Sequence, residues 1–197
     1  MRLPMKALSL LVLAPAAMLS ACISFGPDAP PFLLTLTPDQ TVQAGTVMAG
    51  SQASALVVTE PSTPQKLSVT RIPVTSASGT ISYLKDGSWA DTPASLFTSL
   101  LSETIAARGR LVLDEAESGG KSQDYLTGEL VDFGVYEAPS RAVVTFDAVR
   151  RLPQGRVETR RFTATRPLTS IDPANAGASL NSAANEVAQA VAAWVAG

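Results

Sequence analysis

Tyr125–Tyr136, YLTGELVDFGVY, and Arg141–Arg150, RAVVTFDAVR, separated by Glu137-Ala138-Pro139-Ser140, are the stretch that decides the fold. Both runs are rich in β-branched and aromatic residues, and the residues between them have turn character, so they read as paired strands. A third run, Val157–Thr165, follows the turn Pro153-Gln154-Gly155. Together the three form an antiparallel meander. Strict alternation along the first run puts Leu126, Gly128, Leu130 and Asp132 on one side, and Tyr125, Thr127, Glu129, Val131, Phe133 and Val135 on the other. Neither side is uniformly polar. Either the amino-terminal segment covers the second face of this strand, or that face offers a semi-apolar surface to a partner or a lipid.

Working outward, two helix starts flank the meander. Asp91-Thr92-Pro93 supplies an N-cap and a proline at the first helical position, and Leu96, Phe97, Leu100, Leu101 and Ile105 follow at helical spacing up to Gly109. Asp172-Pro173 repeats the device ahead of an apolar stripe of Leu180, Ala184, Val187, Val191, Trp194 and Val195. Shorter strands are expected at Phe32–Leu36, Ala55–Thr59, Lys66–Val74, Thr80–Leu84 and Leu111–Leu113. Pro73 suits an edge strand or a strand end, because it has no N–H to give a central ladder. Gly45–Ser54 reads as a loop and Asp114–Gln123 as an acidic, solvated turn. The fold class is therefore α+β, a mostly antiparallel or mixed β-sheet with two amphipathic helices packed on one face.

The amino terminus sets the compartment. Arg2 and Lys6 precede an apolar run, Ala7–Leu19, of about 13 residues, too short for the roughly 20 that span a bilayer and right for a signal peptide. It closes on Leu19-Ser20-Ala21-Cys22, the pattern of a lipobox. Cys22 is the only cysteine of the chain, which makes it the expected lipidation site and excludes an internal disulfide. The expected organisation is a cleaved signal peptide over 1–21, a lipidated cysteine and flexible tether over 22–31 (CISFGPDAPP), and one domain over 32–197. The membrane is met through the lipid anchor. Ile23 is not the aspartate that retains such proteins at the inner membrane, so an outer-membrane position facing the periplasm is expected.

Chemistry is sparse. The chain has no histidine, which excludes His-based acid–base catalysis, Ser-His-Asp triads and His-ligated zinc. The acidic residues Asp114, Glu115, Glu117 and Asp124 lack the spacing and central glycine of a calcium loop. Gly119-Gly120-Lys121-Ser122 lacks the first glycine of a phosphate loop, since Glu115 stands there. No catalytic residue, metal or cofactor is expected. With net charge −2, falling to −4 once Arg2 and Lys6 are removed, the chain is no nucleic-acid binder.

Against that acidic background Arg150, Arg151, Arg156, Arg160, Arg161 and Arg166 form a basic cluster. Alternation places Arg156, Arg160 and Arg166 on one side with Phe162, and Arg161 on the other. The cluster either protects a hairpin edge from strand addition or docks lipid phosphates or an acidic partner, whose oxygens match the arginine fork.

The order of segments resembles a known family. Phe32-Leu33-Leu34-Thr35-Leu36-Thr37-Pro38 soon after Cys22, Leu67–Val74 leading to Ile81-Ser82-Tyr83-Leu84, Trp89-Ala90-Asp91 opening a helix, Tyr125–Phe133 and the closing helix with Trp194 are similar to the ABC-type transport auxiliary lipoproteins, the group that includes the paraquat-inducible protein C lipoproteins. The resemblance implies a noncatalytic accessory of a lipid transport system, whose partners are an ABC permease and ATPase and a substrate-binding protein of the mammalian-cell-entry type. A homo-oligomer is compatible with it. Tyr83 and Trp89 are candidate partner contacts, with Trp89 alternatively packing beside the Thr92 cap; Arg156, Arg160 and Arg166 are candidate partner or lipid contacts. A second reading is an outer-membrane assembly lipoprotein resembling the small partner of the lipopolysaccharide-insertion machinery, and a periplasmic hydrolase is a third.

Overall fold

The computed structural model describes residues 31–196, so the signal peptide, Cys22 and all but the last residue of the tether lie outside the described residues. In chain order the strands are β1 (Phe32–Leu34), β2 (Leu56–Val58), β3 (Arg71–Thr75), β4 (Ile81–Trp89), β5 (Val112–Leu113), β6 (Asp124–Glu137), β7 (Ser140–Arg151) and β8 (Val157–Pro167). The helices are α1 (Pro93–Ala106), the single turn α2 (Glu115–Ser118) and α3 (Pro173–Ala196). All eight strands share one mixed sheet, with α1 and α3 packed on one face as the α+β reading expects.

β6 organises that sheet. β7 pairs with it antiparallel from Tyr125↔Arg151 to Glu137↔Ser140, and β8 continues the meander as an edge strand. The other side of β6 is shared: β2 lies parallel to its start and β3 parallel to its end. β4 then pairs with β3, β1 with β4, and β5 with β2.

A bulge explains why alternation along β6 was ambiguous. Leu130 opposes Phe146 while Asp132 opposes Thr145, so Val131 is an extra residue. One inserted residue moves all later side chains to the opposite face. Leu126 and Leu130 before the bulge and Phe133 and Val135 after it therefore all enter the core, each at most 1% exposed. Gly128 serves a close approach: an added Cβ would lie 2.0 Å from the Asp147 carbonyl oxygen.

Both helix starts form as their sequences dictate. Ser95 N–H donates to Thr92 Oγ1 at 3.3 Å, with Pro93 in the first turn, and Asn175 N–H donates to Asp172 Oδ1 at 3.0 Å. α1 buries Phe97, Leu100, Leu101 and Ile105, and α3 buries Leu180, Ala184, Val187, Val191 and Val195. Edge-to-face contacts between Phe97 and Phe146 (5.3 Å) and between Trp89 and Phe133 (5.4 Å) join helices, sheet and the end of β4, a geometry that adds about 0.5–1.5 kcal/mol per pair to area burial.

Several expectations change. The amino-terminal segment covers the helices instead of the second sheet face. Thr37 N–H donates to Asn181 Oδ1 and Asp39 N–H to Asn185 Oδ1, both at 2.8 Å, while Asn185 Nδ2 donates to the Thr37 carbonyl at 2.9 Å. Asn185, 1% exposed inside an otherwise apolar stripe, thus fastens a strap across α3. The strand expected over Lys66–Val74 begins only at Arg71, because Ser68 closes a turn on the Gln65 carbonyl through both its N–H and its hydroxyl. The one expected over Thr80–Leu84 runs on to Trp89, past an irregularity in its pairing where Asp86 has φ +63°. Pro73 lies in an interior strand, at that irregularity and one residue before pairing with β6 begins, so its missing N–H costs the ladder nothing. The acidic turn contains α2, closed by a capping box between Asp114 and Glu117.

Candidate functional site

The basic cluster is divided as alternation predicted, and one part of it forms a cleft at the carboxy-terminal end of α3. In register, Arg150 of β7 faces Glu158 of β8, Ala148 faces Arg160, and Phe146 faces Phe162. These side chains lie on the helix side of the sheet, where α3 brings Trp194 against Phe162 with ring centroids 5.7 Å apart. Arg110, Arg150, Leu152, Arg156, Glu158, Trp194, Val195 and Ala196 enclose a cleft of about 360 Å³. An adjoining hollow over the β7–β8 turn shares Leu152 and Arg156.

The floor of the cleft is an ionic triad. Asp124, 4% exposed, accepts from Arg110 Nη2 at 2.6 Å and from Arg150 Nε and Nη2 at 3.1 and 2.9 Å. Those bonds to Asp124 hold the Arg150 guanidinium above the ordinary arginine pKa, against the opposing effect of burial. An arginine carries five N–H donors, and this one carboxylate cannot use them all. The Nε of Arg110 is buried and has no hydrogen-bond acceptor. Arg156 is bound only at the surface, 3.2 Å from Glu158 with 69% of its side chain exposed.

The other expected site residues are dispersed. Arg160 stacks over Phe162 at 5.0 Å, at the margin of the cleft. Arg166 is engaged with α3, forming an ion pair with Glu186 and donating from Nε to Ser182 Oγ at 3.0 Å. Tyr83 is half-buried, with the Arg71 guanidinium 4.0 Å above its ring. It stands on β4, which β3, β6 and β7 separate from β8, so Tyr83 and the arginine cleft are distinct places. Trp89 is 1% exposed and packs on Phe133, which makes it a core residue at the end of β4 and leaves it no surface for a partner. Cys22 lies outside the described residues.

Sequence reading missed Arg110, Asp124 and the part played by Trp194. Asp124 stands in sequence beside the acidic turn, yet it is the first residue of β6 and buried under two arginines. Its position directly before an apolar strand was the available signal. Arg110 carried none.

The second face of the β7–β8 hairpin is mixed, with Val143, Val149 and the 56% exposed Val157 set among polar residues. Thr159, Arg161, Thr163 and Thr165 of β8 are exposed on it, Thr145 meets Thr163 at 3.2 Å, and Arg161 grips Asp147 through two bonds of 2.6 Å. Arg161 holds the Asp147 carboxyl below the usual aspartate range. Among the described residues no helix is long and apolar enough to cross a membrane.

The family model for the ABC-type transport auxiliary lipoprotein component matches residues 34–192, from the end of β1 to near the end of α3. The chain belongs to this family. A crystal structure of a protein from Xanthomonas campestris, of the DUF330 family, shares 20% identity with a TM-score of 0.67, covering 83% of this chain and 93% of that one. A second crystal structure, of a protein without assigned function, is 13% identical with a TM-score of 0.64, covering 76% of this chain and 96% of that one. At these identities the likeness is one of fold. No curated protein sequence is significantly similar to the chain. Membership in the auxiliary lipoproteins carries an accessory role in transport and a membrane-associated periplasmic location.

Proposed function

We propose that this auxiliary lipoprotein is a noncatalytic scaffolding or binding subunit of an ABC transport system of the mammalian-cell-entry type that moves lipid, held at the outer membrane by acyl chains on Cys22. The observation that carries the reading is the position of the family match, residues 34–192, directly behind Leu19-Ser20-Ala21-Cys22 and a short tether. Each buried CH₂ of an acyl chain adds about 0.8 kcal/mol of membrane affinity, so two or three chains make release negligible. Ile23 after the cysteine favours outer-membrane sorting. A semi-extended tether of 22–31 reaches roughly 30 Å at about 3.1 Å per residue, which leaves the domain in the periplasm. The absence of histidine from the sequence, together with a single cysteine assigned to the anchor, supports a role without chemistry.

The test has two arms. Cells fed a labelled fatty acid should yield labelled protein in the outer-membrane fraction, and Cys22→Ser should lose both label and fraction. Purification of the full-length protein from mild detergent should bring down a permease, an ATPase and a mammalian-cell-entry-type protein. Recovery of a large outer-membrane β-barrel in their place would make it an assembly lipoprotein.

A further inference from the structure

The cleft at the end of α3 has the composition of a binding site for an anionic amphiphile. Its cationic wall is Arg110, Arg150 and Arg156, and its apolar wall is Leu152, Trp194 and Val195. Three guanidinium groups stand against two carboxylates, Asp124 beneath and Glu158 at the rim, and against the negative end of the α3 dipole, about half a charge, so a partial positive charge is left in a partly enclosed space. Ion-pair clusters that only brace a fold spend their donors, because an unpaired buried N–H costs free energy. Here Arg110 gives Asp124 a single bond, from Nη2, and keeps 38% of its side chain exposed at the cleft. The planar fork of arginine suits phosphate oxygens.

We infer that this cleft binds the phosphate of an anionic lipid, with the first carbons of its acyl chains against Trp194 and Leu152. A cleft of about 360 Å³ is at the small end of the 300–1,000 Å³ of ligand pockets. It has room for a headgroup and the start of a tail, and the rest of the lipid remains outside, as in a handover or a membrane contact. An acidic protein segment would satisfy the arginines but would not need the apolar wall. The inference deepens the transport reading and rests on it for the source of the lipid, although the cleft itself is tested without any partner.

Full-length protein carrying Trp89→Phe, which leaves Trp194 as the sole tryptophan, is titrated in uncharged dodecyl maltoside micelles with dihexanoylphosphatidic acid and followed by tryptophan emission, and the natural protein is followed in the same titration by calorimetry. Inorganic phosphate, dihexanoylglycerol and a hexaglutamate peptide are titrated in parallel. The expected result is binding of the phosphatidic acid at least about tenfold tighter than any of the other three, with Arg110→Gln and Arg156→Gln each weakening it by about tenfold, the loss of one charge-assisted contact. Arg156 is largely exposed, so its variant keeps the fold and leaves the test valid should Arg110→Gln not. Equal affinity for inorganic phosphate overturns the lipid assignment, tighter binding of hexaglutamate makes the cleft a protein dock, and no binding, or binding unchanged in Arg156→Gln, makes the cluster a structural brace. Lipid binding by a protein that brings down no transporter would uphold the site and refute the transport reading; the converse would refute the site alone.

Discussion

Replacing Asp124 by alanine isolates the energetics beneath the cleft. Its carboxylate is the common acceptor of Arg110 and Arg150, and the Arg150 side chain is only 9% exposed. Removing one partner of a buried pair strands the other charge, at a cost of about 3–5 kcal/mol. For a domain of this size each kcal/mol moves Tm by about 2–4 °C, so Asp124→Ala should lower Tm by roughly 6–20 °C, with an equally clear drop in urea midpoint. The double variant Asp124→Leu, Arg150→Met removes the buried pair and should recover most of that loss, because the remaining Arg110, with 38% of its side chain exposed, can turn to solvent. A single-variant loss below about 1 kcal/mol, or a double variant no better than the single, would show that the triad is solvated and the reasoning wrong.

Three further outcomes test the fold. Gly128→Ala would place a Cβ 2.0 Å from the Asp147 carbonyl, so a loss of about 1–3 kcal/mol is expected in chemical denaturation; a neutral result would mean that β6 and β7 do not approach so closely. Asn185→Ala removes the bonds that fasten the strap at Thr37 and Asp39, and should cost about 1–3 kcal/mol while raising hydrogen exchange at Asp39 in particular; unchanged exchange there would contradict the strap. The Asp172 carboxyl is lowered to about 2 by hydrogen bonds from Ser170 and from Asn175. A depressed folded pKa means stability that is present above the ordinary aspartate value and lost as pH falls towards about 2. The Tm of the natural protein should therefore exceed that of Asp172→Asn at pH 5 and converge on it by pH 2; a constant gap would refute the cap.

The meander and both helices were legible because each is a local pattern: alternation with turn residues between, or a cap followed by an apolar stripe. The parallel contacts of β1, β2, β3 and β5 were not, since such pairing joins segments far apart in sequence and leaves no turn signature. The mixed faces of Tyr125–Val135 recorded the Val131 bulge, but alternation cannot tell a bulge from a two-faced strand. Asn185 was invisible for a similar reason, its partners being about 146 residues away. For the candidate site, the facing of Arg156, Arg160 and Arg166 with Phe162 followed from strand period, whereas their separation into a cleft wall, a stack and a helix clamp depended on where α3 came to lie.

Site-specific crosslinking in living cells tests the central claim most directly. A photoreactive residue at Thr163, on the exposed face of β8, and another at Arg156, at the rim of the cleft, would capture whatever meets the domain in the periplasm. The account predicts adducts with a mammalian-cell-entry-type protein from an ABC transport system. Adducts confined to an outer-membrane β-barrel would contradict it.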